Sequence, residues 1–202
     1  MVKIIIDEKE VEVEEGKTIL EVAKMLGIRI PTLCYHPAVS AYGACRLCTV
    51  EVIRKGWSRL TTACTYPVRE EIEVKTNSEK VKKARRLIIE MLLARCPNVK
   101  VIQDLAEEMG IEKVRFPQED ENCILCGLCV RICEEVIGVS AIGFASRGIE
   151  RKVTTPFEIK SDTCIGCGAC AVVCPTGAIK VEDLEKKRRI SISRVELSLI
   201  HI

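Results

Sequence analysis

An α+β fold in two modules joined by helices is expected from three features of the sequence. Strand-like alternation dominates the first 77 residues, a capped pattern of helical period follows, and after Pro117 closely spaced cysteines and short apolar pieces take over. A length of 202 residues suits one or two domains, and a composition that is 48% hydrophobic and 30% charged supports a buried core and excludes a disordered chain.

Residues 2 to 13 alternate through Val2, Ile4, Ile6, Val11 and Val13 around the polar run Asp7 to Glu10, which is the pattern of a half-buried hairpin. Thr18 with Glu21 three residues later forms a capping box; Ile19, Leu20, Val22, Ala23 and Leu26 supply an apolar stripe, and Gly27 closes the helix. Alternating segments at about 48–53 and 59–64, with another near Glu71 to Val74, complete a small mixed sheet, so the first module spans 1–77. Ser78 then caps a second helix in which Val81, Ala84, Ile88, Met91, Leu92 and Arg95 share one spacing and Pro97 marks the end. A shorter helix at about 100–109, closed by Gly110, completes a bridge over 78–116. The cysteine-rich unit occupies 117–184. Residues 185–202 open with EKKRR and alternate through Ile190, Ile192, Val195, Leu197 and Leu199; they read as a frayed tail or as a strand added to a partner's sheet.

With 31 Lys+Arg against 29 Asp+Glu, the formal charge of +2 excludes general nucleic-acid binding. The N-terminal MVKIIIDEKEVEVEE lacks a basic n-region and an apolar stretch of signal length. The longest apolar run, Leu87 to Ala94, is interrupted by Glu90 and falls far short of the ~20 residues of a membrane span. A cytoplasmic protein without a membrane span is therefore expected. In that compartment thiols stay reduced, so 13 cysteines point to metal ligation rather than disulfides.

Their spacing sharpens the expectation. Cys123-x2-Cys126-x2-Cys129-x3-Cys133 returns 41 residues later as Cys164-x2-Cys167-x2-Cys170-x3-Cys174, followed by Pro175. Three thiolates on a tight turn can reach different irons of one cubane, while the fourth, on the following helix, points toward the other cluster. By that cross-over Cys123, Cys126, Cys129 and Cys174 are expected to hold one [4Fe-4S] cluster, and Cys133, Cys164, Cys167 and Cys170 the second. Gly127, Gly166 and Gly168 suit the ligand turns. The first run continues Cys133-Glu134-Glu135 where a proline is usual, and about 30 residues separate the runs, an insert expected to lie on the surface. In the first module, Cys34, Cys45, Cys48 and Cys64 share the central C-x2-C of the plant-type [2Fe-2S] arrangement, with a longer loop before it and a nearer last ligand. A [2Fe-2S] site on a β-grasp ferredoxin domain fits this segment best, and zinc remains the competing occupant. The N-terminal β-grasp module, helical bridge and C-terminal bacterial-type 2[4Fe-4S] ferredoxin module thus account for 12 cysteines. Cys96 is left over as a buried or partly buried free thiol.

No G-x-G-x-x-G fingerprint occurs, and the Gly16-Lys17-Thr18 triplet lacks the first glycine of a P-loop, where Val11 stands. The two histidines, His36 and His201, have no base or nucleophile placed beside them, although His36 is near enough to Cys34 to tune that site. No catalytic site is expected.

The segments PTLCYHP, GACRLCTVEV and TTAC, then RRLIIEMLLARCP, then NCILCGLCVRICEEVIGVSAIGFASRGIE and CIGCGACAVVCPTGAI follow one another in a telling order. The chain to about residue 182 resembles the iron-sulfur electron-transfer subunit of NADH-linked multisubunit hydrogenases, and also the N-terminal regions of the complex I large iron-sulfur subunit and of [FeFe]-hydrogenases. The resemblance implies an electron relay partnered by an NADH-binding flavoprotein subunit, further iron-sulfur and hydrogenase subunits, and in bifurcating systems ferredoxin. Relatives usually carry a His-x3-Cys-x2-Cys-x5-Cys set between the modules; RCPNVKVIQDLAEEMG offers only Cys96 there, so that cluster is expected to be absent. With neither a hydrogen-activating nor a pterin-type domain in the sequence, a hydrogen-activating site is expected on another chain. The alternatives are a freestanding ferredoxin-type carrier, or the relay subunit of a formate dehydrogenase or other NADH:ferredoxin oxidoreductase.

Overall fold

The computed structural model describes residues 1–184, 187–192 and 195–201. Its first module is a five-stranded mixed sheet, with one helix supplying its core. The strands β1 (Val2–Ile6), β2 (Lys9–Val13), β3 (Thr49–Arg54), β4 (Trp57–Thr62) and β5 (Ile72–Lys75) are ordered β2-β1-β5-β3-β4. The first hairpin pairs Val2 with Val13 and Ile6 with Lys9, and its Asp7-Glu8 turn has positive φ at both residues. β1 and β5 run parallel, with Ile4 opposite Ile72. The helix α1 (Ile19–Met25) carries the complete capping box, with Thr18 Oγ1 accepting from the Glu21 amide and Glu21 Oε2 accepting from the Thr18 amide. Ile19, Leu20, Val22 and Ala23 of α1 are buried with Ile4, Ile6, Val13, Val50, Val52 and Val74 of the sheet.

The second helix, α2 (Glu79–Arg95), is a strut between the modules. Near its start Ser78 caps it and donates to Glu51 at 2.6 Å, and Lys80 Nζ pairs with the same carboxylate at 2.9 Å. One turn on, the buried Arg85 guanidinium gives Nε and Nη2 to the Thr49 carbonyl of β3. At its far end Arg95 Nε donates to the carbonyl of Cys123 at 2.9 Å. The buried side is Val81, Arg85, Ile89, Glu90 and Ala94, whereas Met91 is exposed. This corrects the stripe read from spacing. A strut between two modules must satisfy polar groups on its inner face, so Glu90 turns inward to take Arg115 in a two-pronged ion pair at 2.7 Å. The helix α3 (Lys100–Glu108) packs against α2, and Cys96 caps α2 with its thiol fully buried.

In the last module α4 (Leu128–Arg131) continues into a π-turn over Ile132–Val136, and α5 (Ala169–Val172) occupies the equivalent place in the second cysteine run. The insert forms a short hairpin, β6 (Gly143–Ala145) with β7 (Lys152–Thr154). Its tip is surface, with Ile149 exposed, as is Phe157 in the turn after β7, but its base is not: Phe144 stacks on Tyr42 of the first module and Val153 is buried. The expectation of a surface excursion therefore holds only for the tip.

The 185–202 segment differs from the frayed tail considered above. β8 (Ile179–Leu184), β9 (Lys187–Ile192) and β10 (Val195–His201) form an antiparallel sheet in the order β10-β9-β8, within the chain itself. Ile190, Ile192 and Leu197 are buried in the core of the last module, so these three residues of the alternation are spent inside the molecule. Residues 185, 186, 193, 194 and 202 of that segment lie outside the described residues.

Candidate metal centres

Each cysteine group sits on a loop that a regular element fixes at one end. In the first module Cys34, Cys45, Cys48 and Cys64 are all buried on the loop between α1 and β3 and just after β4. The Cys45 amide donates to Cys34 Sγ at 3.4 Å, and the Cys48 and Cys64 sulfurs are 3.4 Å apart. Hydrogen bonds from Cys45 and Cys64 pull the Cys34 thiol down to about 2, and those same bonds push Cys45 and Cys64 upward. The Cys64 hydrogen bond lowers Cys48 to about 7. Four thiols so close cannot all ionise on their own. A cationic iron core is the kind of partner that lets them do so together.

In the last module the thiols of the two runs act on one another, both Cys174 and Cys170 bearing on Cys129. Burial raises Cys123, Cys126 and Cys129, Cys126 to about 11, and the charge of Cys174 acts on all three. Cys170 is raised to about 11 by burial, and the charges acting on it come from Cys167, Cys164 and Cys133. Cys174 moves the other way: burial opposes ionisation, but the Thr176 hydroxyl and the amides of Ile179, Thr176 and Ala178 outweigh it. A small apolar pocket is lined by Cys133, Cys164, Cys167 and Cys170, and walled by Ile132, Ile142, Ile190 and Leu197. Its apolar lining and four thiols fit a [4Fe-4S] core, for which amides such as that of Ala141, donating to Cys133 Sγ at 3.3 Å, supply N–H to sulfur.

The ligand turns of the two runs share a backbone. Gly127 and Gly168 stand after the second cysteine of each run, cap α4 and α5, and have φ of 72° and 76°. A Cβ on Gly127 would meet the Phe144 ring at 3.1 Å, so this position needs glycine for space as well as for conformation.

The three sets are contiguous. Leu33, Cys34, Cys45 and Leu47 from the first module, Ile89, Cys96 and Ile102 from the bridge, and Ile124, Cys126 and Ile132 from the last module form one buried cluster. Cys34 also acts electrostatically on Cys126. Cys96 belongs to this core, where burial pushes its thiol to about 12, far from a reactive value. His36 makes a local turn, its Nδ1 accepting from the Ala38 amide at 3.2 Å.

Several site residues are not cysteines and escape a reading of motifs. Arg188 ties β9 to the second ligand turn through the Gly166 carbonyl at 3.2 Å. Ile190 and Leu197 wall the second cavity, and Tyr42, Phe144 and Arg131 line the seam between modules. Aligning the two cysteine runs carries a signal for Arg131: it stands where the second run has the exposed Val172, although the rest of the two short helices is apolar.

Comparison with known proteins agrees with this geometry. The 2Fe-2S iron-sulfur cluster binding domain family matches residues 1–79, and the 4Fe-4S dicluster domain family matches 122–178 and again 163–197. NADP-reducing hydrogenase subunit HndD of Solidesulfovibrio fructosivorans is 36% identical over 89% of the chain, and the NADH-ubiquinone oxidoreductase 75 kDa subunit of Reclinomonas americana is 33% identical over 89%. The chain spans 36% and 29% of the lengths of those two relatives. A crystal structure of an NAD+-reducing [NiFe]-hydrogenase in the H2-reduced state contains a chain that is 32% identical, with a TM-score of 0.66; the match covers 76% of this chain and 74% of that one. Among the described residues no helix is long and apolar enough to cross a membrane.

Proposed function

This chain belongs to the family of iron-sulfur electron-transfer subunits of NADH-linked oxidoreductases and hydrogenases, and on that premise we propose that it is a three-cluster electron relay within such a complex. In this reading Cys34, Cys45, Cys48 and Cys64 hold a [2Fe-2S] cluster. Cys123, Cys126, Cys129 and Cys174 hold one [4Fe-4S] cluster, and Cys133, Cys164, Cys167 and Cys170 the other. Each group, when bound, accepts or gives one electron with little movement of its ligands, which lets a two-electron flavin site be joined to another redox centre. The protein supplies the thiolates, the amides that face them, the apolar walls that exclude water, and a rigid seam that keeps the three sets adjacent. The observation that carries the reading is that the 2Fe-2S domain family covers residues 1–79, with four of the cysteines, and the 4Fe-4S dicluster family covers 122–178, with the other eight.

The complex proposed is a cytoplasmic hydrogenase whose hydrogen-activating site is on another subunit and whose NADH is oxidised or formed on a flavoprotein subunit. Electron bifurcation with ferredoxin is compatible with so short a relay. Two measurements test the proposal. Holoprotein purified without oxygen is expected to contain about ten iron and ten acid-labile sulfides per chain, whereas zinc without sulfide would overturn it. Purification from the native source is expected to bring a flavoprotein in fixed stoichiometry; a monomeric holoprotein that reacts freely with several enzymes would point to a diffusing carrier instead.

A further inference from the structure

We propose that Arg131 is a positioning residue whose buried charge locks the Cys34 loop to the last module and raises the midpoint potential of the [2Fe-2S] cluster held there. The inference rests on the three-cluster reading above. Arg131 lies two residues after Cys129 and two before Cys133, on the backbone between ligands assigned to different cubanes. Its side chain reaches into the first module, where Nη2 donates to the Cys34 carbonyl at 2.9 Å and Nη1 donates to the Ser40 carbonyl. Tyr42 covers the guanidinium, whose carbon is 5.6 Å from the ring centroid. One side chain thus connects a residue of the first cysteine set to the stretch of chain carrying ligands of the other two.

Its charge is the unusual part. Arg131 is 8% exposed, both acceptors are neutral carbonyl oxygens, and Nε has no hydrogen-bond partner. The nearby carboxylate of Glu135 is already engaged, accepting from the Ser40 amide at 2.6 Å and the Ser40 hydroxyl at 2.7 Å. A guanidinium stays protonated in any such environment, and burying one on neutral groups is costly unless an anion lies close. The anions that the fold brings to this seam are the Glu135 carboxylate, on which the Arg131 charge acts, and the thiolates of the Cys34 set and, across it, of Cys126. A fixed cation beside a centre that becomes more negative on reduction favours the reduced form. Glu135 acts on the same loop with the opposite sign.

Redox titration of anaerobic holoprotein followed by EPR separates this role from mere support of the fold. Arg131→Met is expected to move the [2Fe-2S] midpoint to more negative potential, with a smaller shift of the cubane held by the Cys126 set. Arg131→Lys, which keeps the charge, is expected to return the midpoint most of the way, and Glu135→Gln to shift it to more positive potential. Opposite signs for the two neutralising variants are what loosening alone cannot produce. Unchanged midpoints in Arg131→Met with iron and sulfide content intact would overturn the inference and leave the relay standing. Should Arg131→Met fail to load clusters, Glu135→Gln decides, and no positive shift there overturns the inference. Parent protein without clusters would overturn both proposals.

Discussion

At the scale of single residues, the site depends on atoms that either ligate or make room for ligands. Cys48→Ser is expected to remove the [2Fe-2S] EPR signal and spare the cubane signals, and Cys174→Ser to perturb the cluster of the 123–129 turn. Loss of the 164–170 cluster in Cys174→Ser would instead mean that each run serves its own cluster. The two capping glycines make a graded pair. Gly168→Ala is expected to cost about 1–2 kcal/mol, because alanine resists positive φ and the added Cβ meets only Val181 at 3.8 Å. Gly127→Ala carries the same backbone cost plus the Phe144 contact at 3.1 Å, so denaturant melts are expected to show the larger loss there. The cysteines were legible because ligand chemistry leaves a local spacing. The contacts of Arg131 and Tyr42 were not, because their partners are about 90 and 110 residues away in sequence; the aligned runs single out Arg131 without recording what it meets.

Among the elements, those specified by their own neighbours were legible: the first hairpin, the Thr18 capping box and the Ser78 cap stand where periodicity and cap chemistry put them. The face of α2 was not, because two modules compete for it and polar partners, Thr49 for Arg85 and Arg115 for Glu90, decide the rotation. The last strands were misjudged for a related reason, since their buried side faces the cysteine turns rather than another sheet. Leu197→Ala is expected to destabilise the last module by about 2–5 kcal/mol and to hasten loss of the second cubane under denaturant, read from iron release. A pH effect belongs to the start of α2. Hydrogen bonds from Ser78 and then Lys80 hold the Glu51 carboxyl at about 2 in the folded protein, below the usual carboxylate range. The stability this contributes is fully present above the unfolded value and is lost as pH falls through the folded one. Melting temperatures of the parent and of Glu51→Gln are therefore expected to differ most near neutral pH and to converge as pH drops from about 5 toward 3.

For the molecule as a whole, the modules are joined by buried surface rather than by a linker, and the joint runs through the cysteine groups themselves. Leu33 and Leu47 of the first module share a core with Ile89 of the strut and Ile132 of the last module. A relay of the proposed kind would keep its distances if its complex flexed, because the cysteine loops cannot separate without opening that core. Loading as proposed would also change what a partner meets: three clusters contributing about −2 each would turn a formal charge of +2 into about −4. The account's central claim is that one short chain holds three interacting redox centres. Spin-quantified EPR of the fully reduced holoprotein tests it most directly: about three spins per chain, one from a [2Fe-2S] and two from [4Fe-4S] centres, with spectra broadened by mutual coupling, are predicted. Fewer than three spins in protein with its full iron and sulfide complement, or three uncoupled spectra, would contradict it.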